Sequence, residues 1–212
     1  IEDYCEHQAE IGVNGGGLGL DGGMAPKMLV PSSRHLVPNG DLEPFQAAPL
    51  TDAGLTPYHA VKRSLPLLGA GATAVVIGVG GLGHLAVQFL ETLCAATIVA
   101  IDQRESALAR AEAAGAGRCV VSGPEAAAEI QGITGGKGAD VVLDFVGVEA
   151  TLQTAASVVR PMGHLTLVGI GGGAYPFSFF TVPYEVSLAS TYWGSLPELM
   201  EVIALAEAGR IQ

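Results

Sequence analysis

The feature that limits this chain most is a strand that runs directly into a glycine turn. TAVVI at residues 73–77 is followed at once by GVGGLGHLAVQFLETL, so Gly78, Gly80 and Gly83 form a G-x-G-x-x-G pattern that opens a helix-like segment. Alone, that pattern is weak. Its context strengthens it, because a second β-branched run, TIVAID, ends in Asp102 roughly twenty residues beyond the glycines. Glycines at these places, with Gly81 and Leu82 inside the same loop, allow a tight turn and close approach of a pyrophosphate. The helix N-terminus then supplies free amides and the positive end of its dipole. Asp102 is placed to accept hydrogen bonds from an adenosine ribose and to repel a 2′-phosphate, which favours NAD over NADP. Arg104, two residues on, tempers that preference. The alternative is a glycine-rich turn in another α/β fold, with Asp102 only capping the next helix.

The rest of the chain supports the first reading. RCVV, ADVVLDF, HLTLVGI and VSLASTYW continue the series of short apolar runs, and Ala-rich helical stretches such as ESALARAEAAG and PELMEVIALAEAG separate them. Six such strands alternating with helices predict an α/β fold, a doubly wound parallel sheet covered on both faces. Before residue 55 the texture differs, with NGGGLGLDGG and VPSSRHLVPNGDLEP suggesting short strands and Gly/Pro-rich turns. RHLVP reads as a strand there, and Pro26, which lacks a ladder donor, as part of an edge strand. Two units follow, residues 1–55 and 56–212.

Bulk properties remove several function classes. A formal charge of −11 opposes binding to phosphate backbones and anionic lipid, so nucleic acid is not an expected partner. Residues 74–101 are apolar enough to imitate a membrane span, but four glycines and His84, Gln88 and Glu91 interrupt them. No membrane partner is expected. Three cysteines at wide spacings, Cys5, Cys94 and Cys119, do not make a disulfide framework, and a reducing cytoplasm is the expected compartment. The chain opens on IEDYCEH without Met and reads as a fragment with no signal peptide.

The segments GGMAPKMLVP, RHLVPNGDLEP, PLTDAGLTPYHA, VVIGVGGLGHLAVQ, DFVG, LVGI and YWGSLPELMEV, in that order, resemble zinc-dependent alcohol dehydrogenases of the medium-chain family. The likeness spans essentially the whole chain and is narrowest to bacterial NAD-dependent secondary-alcohol dehydrogenases, where a TDAG motif can supply a zinc ligand. It implies a Rossmann domain preceded here by a remnant of a β-rich, GroES-like catalytic domain. It also implies hydride transfer between a secondary alcohol or ketone and NAD, assisted by zinc. A zinc-free medium-chain reductase and a non-catalytic dinucleotide-binding module are the alternatives, and as a truncated chain the protein is expected to be inactive alone.

Carried over by position, Asp52 matches the third ligand of the catalytic zinc, and its partner ligands are expected upstream of this chain. Zinc of that kind takes three protein ligands and keeps one position open. Cys5 matches one ligand of the family's structural zinc; read without the family it is a lone thiol. For the nicotinamide end the resemblance implies Thr56 beneath the ring, Phe145 and Val146 near the adenosine and ribose, and Val168, Gly169 and Ile170 beside the carboxamide. Trp193 offers backbone to the same amide. Each of these is equally a core position on its residue type alone.

Asp52 has a second reading as a helix N-cap, because Thr51 and Asp52 precede LTPYHAVKR. His35, His59, His84 and His164 are expected in surface or satisfied polar roles. The aromatic stretch YPFSFFTVPY, residues 175–184, follows the fifth strand, where relatives make subunit contacts, so a homo-oligomer, dimer or tetramer, is expected; burial against a further segment explains it equally.

Overall fold

Thr73–Ile77 (β1), Thr97–Asp102 (β2), Arg118–Val121 (β3), Ala139–Asp144 (β4), Val159–Leu167 (β5) and Ser187–Ser190 (β6) form one parallel sheet in the order β3-β2-β1-β4-β5-β6. The computed structural model describes residues 15–17 and 19–212. Successive strand residues point to opposite faces, so a sheet covered on both sides needs nearly continuous apolar strands. The strands meet that need. On β1, Ala74 and Val76 enter one core while Val75 and Ile77 enter the other.

Helices supply the covering layers. Leu55–Ser64 (α1), Gly83–Leu93 (α2), Glu105–Ala113 (α3) and Leu196–Glu207 (α6) contribute residues such as Tyr58, Phe89, Leu108 and Val202 to the first core. Ala126–Ile133 (α4) and Glu149–Val158 (α5) cover the second face with Ile130, Ala155 and Val158. Phe89 and Ile130 are wholly buried. Side chains of that size each contribute about 1.5–3 kcal/mol on burial. In α1, Pro57 sits in the first turn, where proline is tolerated, and Lys62 and Arg63 fall in the last turn, where cations suit the dipole.

The order of the strands decides where a ligand can sit. β1 pairs with β2 on one side and with β4 on the other, Ile77 lying opposite both Ile101 and Asp144. The helix after β1 covers one face and the helix after β4 the other, so their connecting loops part and leave a crevice at the carboxyl ends of the strands.

Two details depart from expectation. β5 begins at Val159, earlier than HLTLVGI suggests, accommodates a bulge opposite Ala139–Val141, and ends at Leu167, leaving Val168–Ile170 in the following loop. The described residues before residue 55 carry less strand than their composition predicts. Their strand content is a two-residue parallel ladder, Gly15–Gly16 with Gly19–Leu20; RHLVP makes a 3-10 turn at Ser33–His35, and Pro26 lies in a bend. A strand requires a neighbour for its amides and carbonyls, and residues 21–35 are almost all exposed, Met24 and Leu29 included. No helix among the described residues is long and apolar enough to cross a membrane.

Candidate functional site

The glycine turn after β1 forms one wall of a cleft of about 730 Å³ at the switch between β1 and β4. Gly78 has φ +83, and a Cβ there would lie 2.4 Å from Val146 Cγ2. A Cβ on Gly83 would lie 2.0 Å from the Gly78 carbonyl oxygen, so only glycine lets α2 approach β1 this closely. Gly80 and Gly81 differ. A Cβ on Gly80 would meet nothing nearer than Arg104 Nη2 at 3.9 Å, and one on Gly81 nothing within 4 Å, which leaves their backbone bare toward the cleft. His84 steadies the loop through Nδ1, 2.9 Å from the Gly80 carbonyl, and α2 begins without a side-chain cap, so its first amides face the crevice uncompensated by protein side chains.

Asp102 closes β2 on the opposite wall and is nearly buried. Its Oδ2 accepts the Val79 amide at 3.0 Å, and its Oδ1 accepts the Arg104 amide at 2.9 Å and Arg104 Nε at 3.2 Å. Burial pushes the carboxyl pKa up, but the bonds from Arg104 and Val79 outweigh that and hold it below the usual carboxylate range. Asp102 does not act as the helix cap expected under the alternative reading, because α3 starts after Arg104 with no side-chain cap.

The loop after β4 and the first turn of α5 complete the cleft with Phe145, Val146, Val148 and Thr151. Asp144, fully buried, organises it. Its Oδ1 accepts the amides of Val146 (2.9 Å) and Gly147 (3.1 Å), and its Oδ2 accepts the Thr151 hydroxyl (2.8 Å). The loop after β5 locks onto this one, because the Gly171 amide donates to the Val146 carbonyl at 3.0 Å and the Gly173 amide to the Gly147 carbonyl at 2.9 Å. Glycine is needed at the contact. A Cβ on Gly147 or Gly169 would lie 2.2 Å from backbone atoms of the other loop.

Residues 81–208 match the family model for the zinc-binding dehydrogenase. The chain belongs to this family. It is 35% identical over 215 residues to an NAD-dependent alcohol dehydrogenase of Sulfurisphaera tokodaii, covering 100% of this chain and 60% of that protein. It is also 36% identical over 200 residues to a D-arabinose 1-dehydrogenase (NADP(+)) of Saccharolobus solfataricus, covering 92% of this chain and 57% of that protein. Among solved structures, the alcohol dehydrogenase of Aeropyrum pernix superposes with a TM-score of 0.84 at 37% identity, over 92% of this chain and 58% of its own. The chain thus spans about 60% of the length of the curated relatives it matches.

Of the residues the sequence singled out, Gly78, Gly80, Gly81, Leu82, Gly83, Asp102, Phe145 and Val146 line the cleft together. Thr56, Val168, Gly169, Ile170 and Trp193 stand outside its lining. Thr56 is buried on α1, Val168 is buried and donates its amide to the Asp144 carbonyl, and Ile170 is fully exposed. Cys5 lies outside the described residues.

Asp52 is exposed, and its Oδ1 accepts the Thr56 hydroxyl at 3.1 Å. Nor is it a cap for α1, whose N-cap is Gly54, without a side-chain bond. Among the described residues no three His, Cys, Asp or Glu side chains gather to hold a metal. These residues alone do not fit a zinc ion.

Sequence reasoning missed Asp144, and also Thr151 and Ser122, which line the cleft. Asp144 had a signal, since ADVVLD ends in aspartate just as TIVAID does. The histidines fall largely as expected: His164 lies between Ser187 Oγ (2.7 Å) and Thr166 Oγ1 (2.9 Å), and His59 contacts Glu198.

Proposed function

We propose that this chain carries the cofactor half of an NAD-dependent alcohol dehydrogenase that oxidises secondary alcohols or reduces ketones. Residues 56–212 form the NAD-binding domain and residues 1–55 belong to a GroES-like catalytic domain. The observation that carries the reading is the pairing of Asp102 with the bare glycine turn. Its carboxylate is anchored by the Val79 amide inside that turn, so the ribose acceptor and the pyrophosphate cradle are held as one unit.

The roles of the residues follow from their positions. Gly80 and Gly81 let the pyrophosphate reach the amides at the start of α2, and Asp102 receives ribose hydroxyls on Oδ2, which has one protein partner. Phe145 and Val146 exclude water from the adenosine side. Bound NAD supplies the hydride acceptor. Thr56, Val168–Ile170 and Trp193 border the nicotinamide end in this reading, and Asp52 is one oxygen donor to a zinc ion whose other donors lie beyond the described residues.

Phe177, Phe179, Phe180 and Tyr184 are exposed, with Phe179 against both Phe180 and Tyr184, and they follow β5 in a segment that suits a dimer or tetramer contact. Cys94 and Cys119 are free thiols, in keeping with a reducing cytoplasm.

Calorimetric titration of the 212-residue chain with NAD and NADP tests the proposal. NAD is expected to bind at least about tenfold more tightly, and Asp102→Gly to erode that margin by removing both acceptor and repulsion. The chain alone is expected to form no NADH from secondary alcohols. Tighter binding of NADP by the unmutated chain overturns the cofactor assignment.

A further inference from the structure

The turn between β6 and α6 holds Trp193 at φ +35, a left-handed conformation that a bulky residue adopts only when its surroundings impose it. Two residues later Ser195 begins α6 in a capping box with Glu198: Glu198 Oε2 accepts the Ser195 amide at 2.9 Å and the Ser195 hydroxyl at 3.0 Å. A capping box of this kind normally sits at the surface. Here the carboxylate is buried, and it has a third partner from another helix, His59 Nδ1 on α1, 3.0 Å from both oxygens. Burial pushes the Glu198 pKa up, but Ser195 and His59 together hold it below the usual range, so the buried group is an anion.

The turn is also pressed onto α1. A Cβ on Gly194 would lie 2.7 Å from Leu55 Cδ1, and Leu55 packs in a small apolar cluster with Leu199 and Ile203 of α6. Leu55 precedes Thr56, whose hydroxyl bonds Asp52. The helix-to-helix contact itself has a second, independent tie, because Tyr58 and Lys62 of α1 both donate to Glu201 of α6. Neither Glu198 nor His59 is needed to join the two helices. What Glu198 reaches and Glu201 does not is the turn, through the Ser195 amide and hydroxyl.

We infer that Glu198 is a positioning residue for the nicotinamide end of the cofactor. Through Ser195 it holds Trp193 in its left-handed conformation, and through His59 it fixes that turn to the helix that starts with Thr56. The effect on cofactor rests on the proposed NAD reading; the effect on the turn does not.

The chain has one tryptophan, so its fluorescence reports on this turn alone. The test compares the unmutated chain with Glu198→Gln and Glu201→Gln, recording tryptophan emission, acrylamide quenching, and binding of NADH and of ADP-ribose, which lacks the nicotinamide. Glu198→Gln is expected to raise acrylamide quenching about twofold and weaken NADH about fivefold, with ADP-ribose affinity and circular dichroism unchanged. Glu201→Gln is expected to leave emission and quenching as in the unmutated chain. Unmutated emission and quenching in Glu198→Gln overturn the inference, and so does a fall in ADP-ribose affinity equal to that for NADH. If the unmutated chain binds neither ligand, the NAD reading fails and takes the cofactor role of Glu198 with it, while quenching still decides whether Glu198 holds the turn. Should Glu198→Gln not fold, Ser195→Ala removes one donor to the same carboxylate and is expected to raise quenching in the same direction.

Discussion

Asp102 closes β2 and Asp144 closes β4, and each carboxylate turns back to accept the amide two residues on, from Arg104 and from Val146, at 2.9 Å in both cases. The resemblance ends with their remaining partners. Asp144 is sealed, its oxygens engaged by Gly147 in its own loop and by Thr151 in the first turn of α5. Asp102 reaches across to Val79 of the neighbouring loop and faces the cleft, with a half-exposed arginine as its counter-charge. One motif, an aspartate at a parallel strand end, thus serves once to build a loop and once to read a ligand. Burial and partner identity separate the two uses, and sequence shows neither.

The largest effect expected from breaking this comparison is at Asp144. Asp144→Ala leaves the buried Val146 and Gly147 amides without their acceptor, while the Thr151 hydroxyl keeps the Val148 carbonyl, and it costs on the order of 3 kcal/mol and lowers the melting temperature by roughly 10 °C. Asp102→Ala costs less, because its partners lie beside the open cleft and water can replace the lost acceptor. Thermal melts of the two variants against the unmutated chain check the ranking. Equal losses would mean that the two aspartates make the same structural contribution.

A pair of glycines sharpens the same division between building and reading. Gly83→Ala places a methyl against the Gly78 carbonyl and is expected to cost about 1–3 kcal/mol. Gly80→Ala meets open space, so its melting temperature is expected to stay close to that of the unmutated chain while NAD affinity falls at least about tenfold, the methyl standing where the pyrophosphate approaches. Melting curves and NAD titrations on both proteins separate the outcomes. A stable Gly80→Ala that binds NAD normally would show that the turn does not cradle the pyrophosphate.

How much of this could be read beforehand follows from the range of the forces involved. TAVVI, TIVAID, RCVV and ADVVLD were legible because a strand buried on both faces admits only apolar, mostly β-branched residues, and the pattern is local. The glycine fingerprint was legible because steric demands at Gly78 and Gly83 forbid any other residue. The end of β5 was not. Whether Val168–Ile170 continue a strand depends on Gly171 and Gly173 bonding the loop after β4, a contact between distant segments that leaves only a run of glycines in the sequence. Residues 21–54 failed for a related reason: turn-rich composition resembles a β domain, but a strand exists only where a partner accepts its hydrogen bonds. Glu198 was missed because an S-x-x-E box predicts a helix start, and nothing local tells that His59 will arrive from 139 residues away.

Acid is expected to act on the ligand-facing member of the pair through the loss of its charge. The Asp102 and Asp140 carboxyls are held below their ordinary values despite burial, Asp140 by the Thr73 amide, Arg160 and Lys137. A carboxyl depressed in the folded state contributes stability above its unfolded pKa of about 4, and that contribution is lost as pH falls through the depressed value. Melting temperature should therefore hold from neutral pH to about pH 5 and fall below about pH 4. Asp102→Asn should melt lower at neutral pH and show a shallower acid fall, because one of the titrating groups has gone. A parallel fall in both proteins would mean that Arg104 and Val79 do not stabilise the anion.

Asp52 is the aspartate with the smallest expected effect on the fold. It is exposed, it does not cap α1, and its carboxylate accepts the Thr56 hydroxyl, a bond that an amide oxygen can accept equally well. Asp52→Asn in the 212-residue chain should change stability by less than about 0.5 kcal/mol and leave NAD affinity untouched. The charge matters only if a cation is to be held, because zinc takes an anionic carboxylate far better than a neutral amide. In a longer form that supplies the remaining donors, the same substitution should lower zinc content and turnover together, with no change in melting temperature beyond that of metal loss. Elemental analysis beside kcat measures it. Full zinc and full rate in that variant would leave Asp52 as a surface residue and remove it from the metal site.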